Sequence, residues 1–423
     1  MIRLYNCKVL ALDGVAEVLD RELWIDGDTI LFVGPTVPDR PVFEREIDLR
    51  GDLVMPGFKN AHAHSAMSFL RSFADDLPLQ KWLFEKVIPY EAKLTPDDIY
   101  ALTRFAVLEN LAAGITSSFE MYYHRSVGAR AAVDSNYRMV FCGGIASGDD
   151  FGMCENDLFN IRRLGSPLVS YISGVHSEYL SDPDLLMCMK QFVDEYSLPF
   201  YAHNAETKRE VDECIERNDM TPTALFEDYG LYEHGGGGFH CVWFTPEDMD
   251  IFARRGLYAV TCPASNAKLA SGIAPITELQ KKGVPLAIGT DGQASNNSLD
   301  IFREMYLVSV LQKLQKMDAS ACDAVSVLEM ACCGSARAMG LPDCDSLAFG
   351  KKADLIVIDL HKPNMLPYHN IPKNLVYSGS NANVRMTMVN GNILYEDGVY
   401  HVGETPERIY RDALAAVERV TRS

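Results

Sequence analysis

Two histidines placed two positions apart, His62 and His64, are the first residues of the chain whose type and spacing suit chemistry. They end an apolar stretch that begins at Leu53. Side chains alternate between the faces of a strand, so residues two apart point the same way. Two imidazoles on one face form half of a site for a divalent metal ion. Taken alone, the pair is also compatible with two solvated or capping histidines.

Further side chains of this kind follow other apolar runs. His176, His203 and His240 each follow such a run, and another run ends at Asp291. Five of the ten histidines therefore fall at predicted strand ends, a concentration that chance placement does not give. In a (β/α)8 barrel the chemistry lies at the carboxyl ends of the strands. We therefore expect these side chains to meet at one site.

A set of three imidazoles and one carboxylate fits a single divalent ion with a position left for water; its members are His62, His64, His203 and Asp291. Metal-bound water loses a proton near neutral pH and becomes a nucleophilic hydroxide. Glu206, three residues after a ligand, is placed to move protons without binding the metal. His240 is placed to hold the hydroxide by a hydrogen bond. Glu206, His240 and Asp291 are thus the predicted catalytic residues of a metal hydrolase.

Each of these residues has a second interpretation when it is considered alone. His240, beside Cys241, also fits a core histidine with its hydrogen bonds satisfied. Asp291 in Thr-Asp-Gly also fits a turn, and Glu206 also fits the solvated start of a helix. The combination of all the strand-end residues favours the metal site.

The elements that must position these residues are predicted from hydrophobic patterning. Thr95 and Pro96 predict a helix start and Gly114 its end, and a second helix is predicted from Pro246 to Gly256. Short apolar runs alternate with helical stretches, which predicts an α/β fold with a closed (β/α)8 TIM-like barrel. The eight runs are 53–60, 115–119, 138–145, 168–175, 198–202, 238–243, 257–262 and 284–290.

Both ends of the chain carry β patterning without candidate catalytic residues. Asp26-Gly27 and Asn390-Gly391 are hairpin signals, and a helix is predicted near 405–421. We expect the two ends to form one small β-sandwich domain. The predicted domains are 1–55 for the first part of the sandwich, 56–345 for the catalytic barrel, and 346–423 for the second part with the C-terminal helix.

The composition limits the partners. The chain has 423 residues, 48% of them hydrophobic, and a net charge of −19, which argues against nucleic acid or an anionic membrane as partner. Eleven scattered cysteines predict reduced thiols. With no signal peptide and no membrane-length apolar run, we expect a cytoplasmic protein. The expected partner is a small-molecule substrate, and a homo-oligomer is compatible with this composition.

The motifs around the candidate residues resemble the amidohydrolase superfamily. They read Pro56-Gly-Phe-Lys-Asn-Ala-His-Ala-His, His203-Asn-Ala-Glu, His240-Cys-Val and Gly289-Thr-Asp-Gly-Gln-Ala-Ser-Asn-Asn-Ser. They are most similar to its branch of S-adenosylhomocysteine, 5'-methylthioadenosine and adenosine deaminases, which is adjacent to chlorohydrolases and guanine deaminases. The resemblance covers nearly the whole chain. It implies one divalent ion, zinc or alternatively iron, and hydrolytic deamination of an adenosine-type nucleoside.

The same resemblance implies a substrate pocket. The residue matching Glu91 accepts hydrogen bonds from ribose hydroxyls, those matching Trp82 and Met67 form pocket walls, and the one matching His176 touches the purine or ribose. Tyr122 is a further candidate for substrate binding. A carboxylate accepts two hydroxyl donors well, and an aromatic wall suits a planar base. The alternatives are ordinary core packing for the apolar walls and a surface carboxylate at position 91.

One departure from the resemblance bears on the substrate. Relatives that act on S-adenosylhomocysteine carry arginines after the third strand that bind its carboxylate. Residues 139–161 contain no Arg or Lys, but contain Asp149 and Glu155, so a carboxylate would find no bidentate partner there. We therefore expect adenosine, 5'-deoxyadenosine or 5'-methylthioadenosine, with S-adenosylhomocysteine disfavoured unless Arg125 or Arg130 substitutes from another loop. The alternatives are a deaminase or hydrolase of a pterin, an oxidised guanine or a triazine, and a metal-free, non-enzymatic relative.

Overall fold

A computed structural model of the chain describes residues 1–77 and 79–422. The N-terminal part of the chain contributes strands to a mixed sheet. They are β1 (Ile2–Leu10), β2 (Val18–Asp26), β3 (Thr29–Gly34), β4 (Arg45–Asp48) and β5 (Leu53–Pro56). Strands β2 and β3 pair antiparallel around Asp26-Gly27, which confirms the predicted hairpin.

The middle of the chain forms the barrel. Its strands are β6 (Phe58–His64), β7 (Ile115–Glu120), β8 (Arg138–Cys142), β9 (Val169–Ser177), β10 (Phe200–Asn204), β11 (Gly236–His240), β12 (Tyr258–Thr261), β13 (Leu286–Ile288) and β14 (Asp291–Gly292). They pair in parallel in the order β13-β12-β11-β10-β9-β8-β7-β6-β14, and the pairing of β14 with β6 closes the barrel. The predicted TIM-like barrel is therefore confirmed.

Two of the predicted runs are divided in the structure. The run 53–60 was predicted as one strand, but β5 belongs to the terminal sheet and β6 to the barrel. The change occurs at Gly57, where a Cβ atom would lie 2.1 Å from the Cγ2 atom of Thr116. In the run 284–290, β13 ends at Ile288, and after two further residues the chain pairs with β6 as β14. An apolar run does not reveal such a change of partner, because both halves are equally buried.

Four C-terminal strands complete the terminal sheet; they are β15 (Leu355–Ile358), β16 (Val384–Val389), β17 (Asn392–Glu396) and β18 (Val399–Tyr400). The strand order of this sheet is β18-β17-β16-β15-β5-β1-β2-β3, with β4 beside β1. The predicted hairpin at Asn390-Gly391 is present between β16 and β17. Arg138 in the barrel donates hydrogen bonds of 2.6 and 3.1 Å to Asp354, next to β15, and so joins the barrel to the sheet.

The helices begin and end at the expected signals. Thr95 forms a capping box with Asp98, and Gly256 ends its helix in the left-handed conformation. The α-helices are α1 (Leu79–Lys81), α2 (Ile88–Glu91), α3 (Pro96–Ala112), α4 (Arg125–Asp134), α5 (Gly152–Arg163), α6 (Pro183–Tyr196), α7 (Lys208–Asn218), α8 (Pro222–Asp228), α9 (Pro246–Arg255), α10 (Pro263–Lys268), α11 (Ile276–Lys281), α12 (Ile301–Lys316), α13 (Ala324–Glu329), α14 (Ser335–Ala338), α15 (Ile371–Tyr377) and α16 (Pro406–Arg422). Short 3-10 turns cover Ser65–Leu70, Glu178–Leu180, Pro342–Cys344, Pro363–Met365 and Asn381–Asn383, and π-helical turns cover Trp82–Val87 and Met330–Gly334.

Apolar side chains fill the inside of the barrel below the strand ends. This inner cluster includes Phe119, Tyr201 and Phe239. The ring of Phe239 stacks on the imidazole of His62 at a centroid distance of 3.9 Å, so the apolar cluster supports the candidate site directly. Across residues 1–77 and 79–422, no helix has the length and apolar character needed to cross a membrane.

Candidate metal centre and active site

The predicted metal-centre residues lie at the carboxyl ends of the barrel strands. His62 and His64 end β6, His203 lies in β10, and Asp291 begins β14. His240 ends β11, and the loop after β10 carries Glu206. The barrel brings together residues that are up to 229 positions apart, since the carboxyl ends of parallel strands share one face.

Four backbone positions at or next to these strand ends have positive φ angles. The angles are 51° at Ala205, 71° at His240, 51° at Cys241 and 63° at Asp291. Residues other than glycine seldom adopt this conformation, and such strained positions cluster at active sites. Ala205 follows the end of β10, His240 ends β11, and Asp291 begins β14.

The donor atoms of the cluster are close enough to share one ion. One potential ligand atom from each of His62, His203, His240 and Asp291 lies within 4.8 Å of the others. The Oδ1 atom of Asp291 lies 3.1 Å from Nε2 of His64 and 3.5 Å from Nε2 of His62. Three of the four predicted ligands thus belong to this group, which also includes His240, while the fourth, His64, lies beside it in contact with Asp291.

Backbone carbonyls orient two of the imidazoles. The Nδ1 atom of His64 lies 2.5 Å from the carbonyl oxygen of Met121, and Nδ1 of His203 lies 2.7 Å from that of His176. A carbonyl only accepts, so Nδ1 of each ring must carry the proton. The Nε2 lone pair then faces the centre, as a metal ligand requires.

His62 provides the test of whether a metal ion fits. Its ring is fully buried, yet neither Nδ1 nor Nε2 has a hydrogen-bond partner among the described residues. Buried polar atoms are rarely left without a partner. A divalent ion bound to one ring nitrogen would supply a partner, and imidazole and carboxylate donors suit zinc or iron. The residues present therefore fit the implied ion.

Asp291 is held as a carboxylate by its surroundings. Burial alone would raise its pKa, but the contacts with His62 and His64 hold that pKa well below the usual value. Its second oxygen, Oδ2, accepts hydrogen bonds from Ser265 at 2.5 Å and Ser295 at 2.8 Å. These hydroxyls fix the carboxylate so that Oδ1 points to the imidazoles.

Glu206 and His240 form a second pair next to the cluster. The Oε2 atom of Glu206 lies 4.0 Å from Nε2 of His240. Burial raises the pKa of Glu206, which favours a group that can carry a proton. Ser271 donates a 3.1 Å hydrogen bond to Oε1 of Glu206, and Nδ1 of His240 lies 2.8 Å from Oδ1 of Asn266.

Sequence reasoning missed Ser265, Asn266 and Ser271. All three follow β12, whose end carries no histidine or carboxylate to mark it. The available signal was a pair of polar residues, Ser265 and Asn266, directly behind an apolar run and Pro263. Hydroxyl and amide side chains are too common at helix starts for that signal to stand out.

A cavity of about 260 Å³ opens over the cluster. His64, His203, His240, Glu206 and Asp291 form part of its surface. The predicted substrate-binding residues all line the same cavity; they are Met67, Trp82, Glu91, Tyr122 and His176. The structure thus brings the candidate reaction centre and the candidate substrate-binding residues together.

Among the described residues that line the cavity there is no Arg or Lys. Arg125 is buried and donates hydrogen bonds to the Cys142 carbonyl and to Asp157. The guanidinium of Arg130 lies 5.1 Å from the ring centre of Tyr100. Neither of the two arginines considered from the sequence therefore lines this cavity. The described lining contains Asp149 instead.

Comparison with known proteins places these features in context. The sequence profile of the amidohydrolase family matches residues 53–394. A 5-methylthioadenosine/S-adenosylhomocysteine deaminase of Desulfitobacterium hafniense is 39% identical over 402 residues, which cover 93% of each chain. A 5'-deoxyadenosine deaminase of Methanothermobacter thermautotrophicus is 35% identical over 365 residues, which cover 85% of each chain.

A solved structure matches the whole chain. It is an adenosine deaminase from Xanthomonas campestris with bound zinc, with a TM-score of 0.95 and 29% sequence identity. The match covers 100% of this chain and 99% of that one. The barrel and the terminal sheet therefore recur together in that protein.

Proposed function

We propose that this chain, which belongs to the amidohydrolase family, is a metal-dependent deaminase of adenosine-type nucleosides. The reaction replaces the exocyclic amine of the purine by oxygen, giving the inosine form and ammonia. The observation that carries the proposal is that imidazoles and the carboxylate of the cluster line the same cavity as Glu206 and Glu91; these cluster members are His64, His203, His240 and Asp291. The names of the relatives support this substrate class.

The proposed metal ligands are His62, His64, His203 and Asp291. A divalent ion held by these residues would supply the activation of a water molecule for attack on the carbon that carries the amine. We propose Zn²⁺, with Fe²⁺ as the alternative, because imidazole and carboxylate donors suit both ions. The zinc in the Xanthomonas adenosine deaminase structure supports the first choice.

Glu206 is the proposed proton carrier. It takes a proton from the attacking water and transfers it to the ring nitrogen next to the reacting carbon. It then takes the second proton from the newly added hydroxyl group and gives it to the amine, which leaves as ammonia while the carbonyl forms. Its Oε2 atom and the Nε2 atom of His240 are 4.0 Å apart, so both border the same small volume. In this arrangement His240 orients the attacking water by a hydrogen bond.

The substrate-binding residues are proposed from the cavity walls. Glu91 offers a carboxylate to the ribose hydroxyls, while Trp82 and Met67 offer apolar surface to the base. His176 lies beside His203, with ring centres 4.5 Å apart, and faces the purine or ribose. Tyr122 donates a hydrogen bond to Glu91 and so holds the carboxylate in place.

A neutral 5' substituent fits the cavity best. A substrate carboxylate would need a cationic partner when it is buried, and arginine is the usual one. The described lining offers no such residue, and Asp149 would repel a second negative charge. We therefore propose adenosine, 5'-deoxyadenosine or 5'-methylthioadenosine as substrate, in preference to S-adenosylhomocysteine.

A screen for ammonia release tests this proposal. The panel contains adenosine, 5'-deoxyadenosine, 5'-methylthioadenosine, S-adenosylhomocysteine, guanine, 8-oxoguanine, an aminopterin-type pterin and an aminotriazine. We expect the three neutral nucleosides to have the highest kcat/KM. A clear preference for S-adenosylhomocysteine would overturn the proposed 5' selectivity. Turnover of the free heteroaromatic compounds alone would overturn the nucleoside proposal. A metal-free protein with no turnover would be a non-enzymatic relative.

A further inference from the structure

The segment that follows β12 contacts both proposed proton-handling residues. It comprises Pro263 to Gly272 and includes α10. We propose that Ser271 and Asn266 are positioning residues, which fix one atom of Glu206 and one atom of His240 so that the other atom of each faces the cavity. This inference rests on the proposed function for the roles of Glu206 and His240, but the contacts themselves do not depend on it.

Ser271 determines which oxygen of Glu206 is free. Its hydroxyl donates a 3.1 Å hydrogen bond to Oε1, and Oε2 remains directed to His240. The side chain of Ser271 is buried, so water does not compete for this bond. Without the hydroxyl, nothing else among the described side-chain hydrogen bonds holds the Glu206 carboxylate, which is then free to rotate.

Asn266 determines which nitrogen of His240 carries the proton. Its Oδ1 atom lies 2.8 Å from Nδ1 of His240, and an amide oxygen only accepts. In the neutral ring Nδ1 is then protonated and Nε2 keeps its lone pair toward the cavity. This partner is a side chain, whereas backbone carbonyls orient His64 and His203. The tautomer of His240 can therefore be changed by a single substitution.

The two positioning residues are held as one unit. The backbone N–H of Ser271 donates to the carbonyl of Asn266 at 2.8 Å, and the indole N–H of Trp243 donates to the carbonyl of Ser271 at 2.7 Å. Gly272 follows with a φ angle of 131°, and a Cβ atom there would lie 2.8 Å from Val242. The same short segment thus sets the orientation of two side chains, one from the loop after β10 and one from the end of β11.

The amide nitrogen of Asn266 gives independent support. Nδ2 is buried and has no hydrogen-bond partner among the described residues. A buried polar atom without a partner destabilises a fold, and an apolar side chain of similar size would avoid that cost. A requirement for the Oδ1 acceptor at this position explains why an asparagine is present.

Kinetic measurements on four variants test the proposal. We expect Ser271→Ala and Asn266→Ala each to lower kcat about tenfold, the size of one lost hydrogen bond, with KM changed less than about twofold. Ser271→Thr keeps the hydroxyl and Asn266→Asp keeps an acceptor, so both should recover most of the loss. Metal content should stay at the wild-type level in all four.

A matched control separates positioning from packing. Ser309 is also fully buried, and its hydroxyl donates to the Cys322 carbonyl at 2.9 Å. Neither residue is among the described residues that line the cavity. Ser309→Ala should retain the wild-type kcat. If Ser271→Ala raised KM and lowered kcat in parallel with a loss of metal, or if Ser271→Thr recovered nothing, the positioning role would be wrong.

Two structural measurements stand apart from activity. Crystal structures should show one Glu206 carboxylate orientation in the wild-type protein and in Ser271→Thr, but several in Ser271→Ala. Nitrogen-15 NMR should show a single Nδ1-protonated tautomer of His240 in the wild type and a mixture in Asn266→Ala. If the wild type deaminates no nucleoside, the proposed function fails while these two measurements still decide the positioning. If the Glu206 carboxylate kept one orientation in Ser271→Ala and His240 kept one tautomer in Asn266→Ala, the proposed positioning role would be wrong.

Discussion

The phenol hydroxyl of Tyr122 donates a 2.6 Å hydrogen bond to the Oε1 atom of Glu91, inside the cavity above the imidazole cluster. Both side chains are buried. Burial raises the pKa of Glu91, and the hydrogen bond from Tyr122 opposes this rise. One oxygen of Glu91 is thus occupied, and the other is available to hydroxyl groups of a substrate.

Replacing Glu91 should weaken nucleoside binding. A hydrogen bond to a charged acceptor contributes about 1.5–3 kcal/mol, so we expect Glu91→Gln to raise KM about 10- to 100-fold with a smaller effect on kcat. Tyr122→Phe should raise KM less, since it removes only the orienting bond. Steady-state kinetics with adenosine measures both. The control is Glu85→Gln, an exposed carboxylate of the same segment, and an unchanged KM in Glu91→Gln would contradict ribose recognition there.

Replacing Glu206 should separate metal binding from turnover. Glu206→Gln keeps the size of the side chain but cannot carry a proton, and general acid–base catalysis contributes about 10²- to 10⁴-fold. We expect a loss of kcat in this range, with metal content and KM near wild type. Glu216→Gln, on the exposed side of α7, is the matched control. Near-normal turnover in Glu206→Gln would exclude it as the proton carrier.

Removing a metal ligand should affect both activity and stability. We expect about one divalent ion per chain, its loss in His203→Ala, and reversible loss of activity on chelation. Because an ion that binds only the folded state stabilises it by mass action, the Tm should fall when the ion is removed. Elemental analysis and thermal unfolding provide the measurements. His234→Ala changes a histidine paired with Asp194 outside the cluster and should keep the ion; equal metal content in the two variants would argue against the assigned ligand.

The buried pair of Arg138 and Asp354 should make stability dependent on acid pH. Burial alone would raise the pKa of Asp354, but Arg138 outweighs it and holds the pKa below the ordinary value. In the unfolded chain the pKa is about 3.9, so the unfolded state takes up the proton more readily. The stability from this pair is therefore present above about pH 4 and is lost as the pH falls through the lower, folded pKa.

Asp354→Asn tests this relation. Removing one partner of a buried pair costs about 3–5 kcal/mol. We expect the difference in unfolding free energy between wild type and variant to be constant near neutral pH and to shrink below about pH 4. Urea unfolding at several pH values measures it. Asp13→Asn, at an exposed position, should show no such difference, and a pH-independent deficit in Asp354→Asn would contradict the assignment.

The sequence predicted the architecture well because its local signals are strong. The capping residues around α3 and α9 and the two hairpins lie where the turn chemistry placed them. The change of sheet at Gly57 could not be predicted, since it depends on the close approach of Thr116 from another strand. Periodicity reports burial, and burial does not tell which sheet a strand joins.

For the site, residues with distinctive chemistry could be found and supporting residues could not. His62, His203 and Asp291 are conspicuous because imidazoles and carboxylates at strand ends are uncommon. Ser265, Asn266 and Ser271 acquire importance only from distances of 2.5–3.1 Å to residues in or just after other strands. Such distances result from the closed barrel and have no counterpart in the linear sequence.

The closing of β14 on β6 has a consequence for the order in which the chain can fold during synthesis. His62 and His64 leave the ribosome more than 220 residues before Asp291, their carboxylate partner. Strand β5 can pair with β1 early, but its other neighbour, β15, is made about 300 residues later. Contacts of such long sequence separation form late, and the apolar faces involved stay exposed meanwhile. Apolar faces of the N-terminal third of this protein should therefore stay uncovered until the last strands are made.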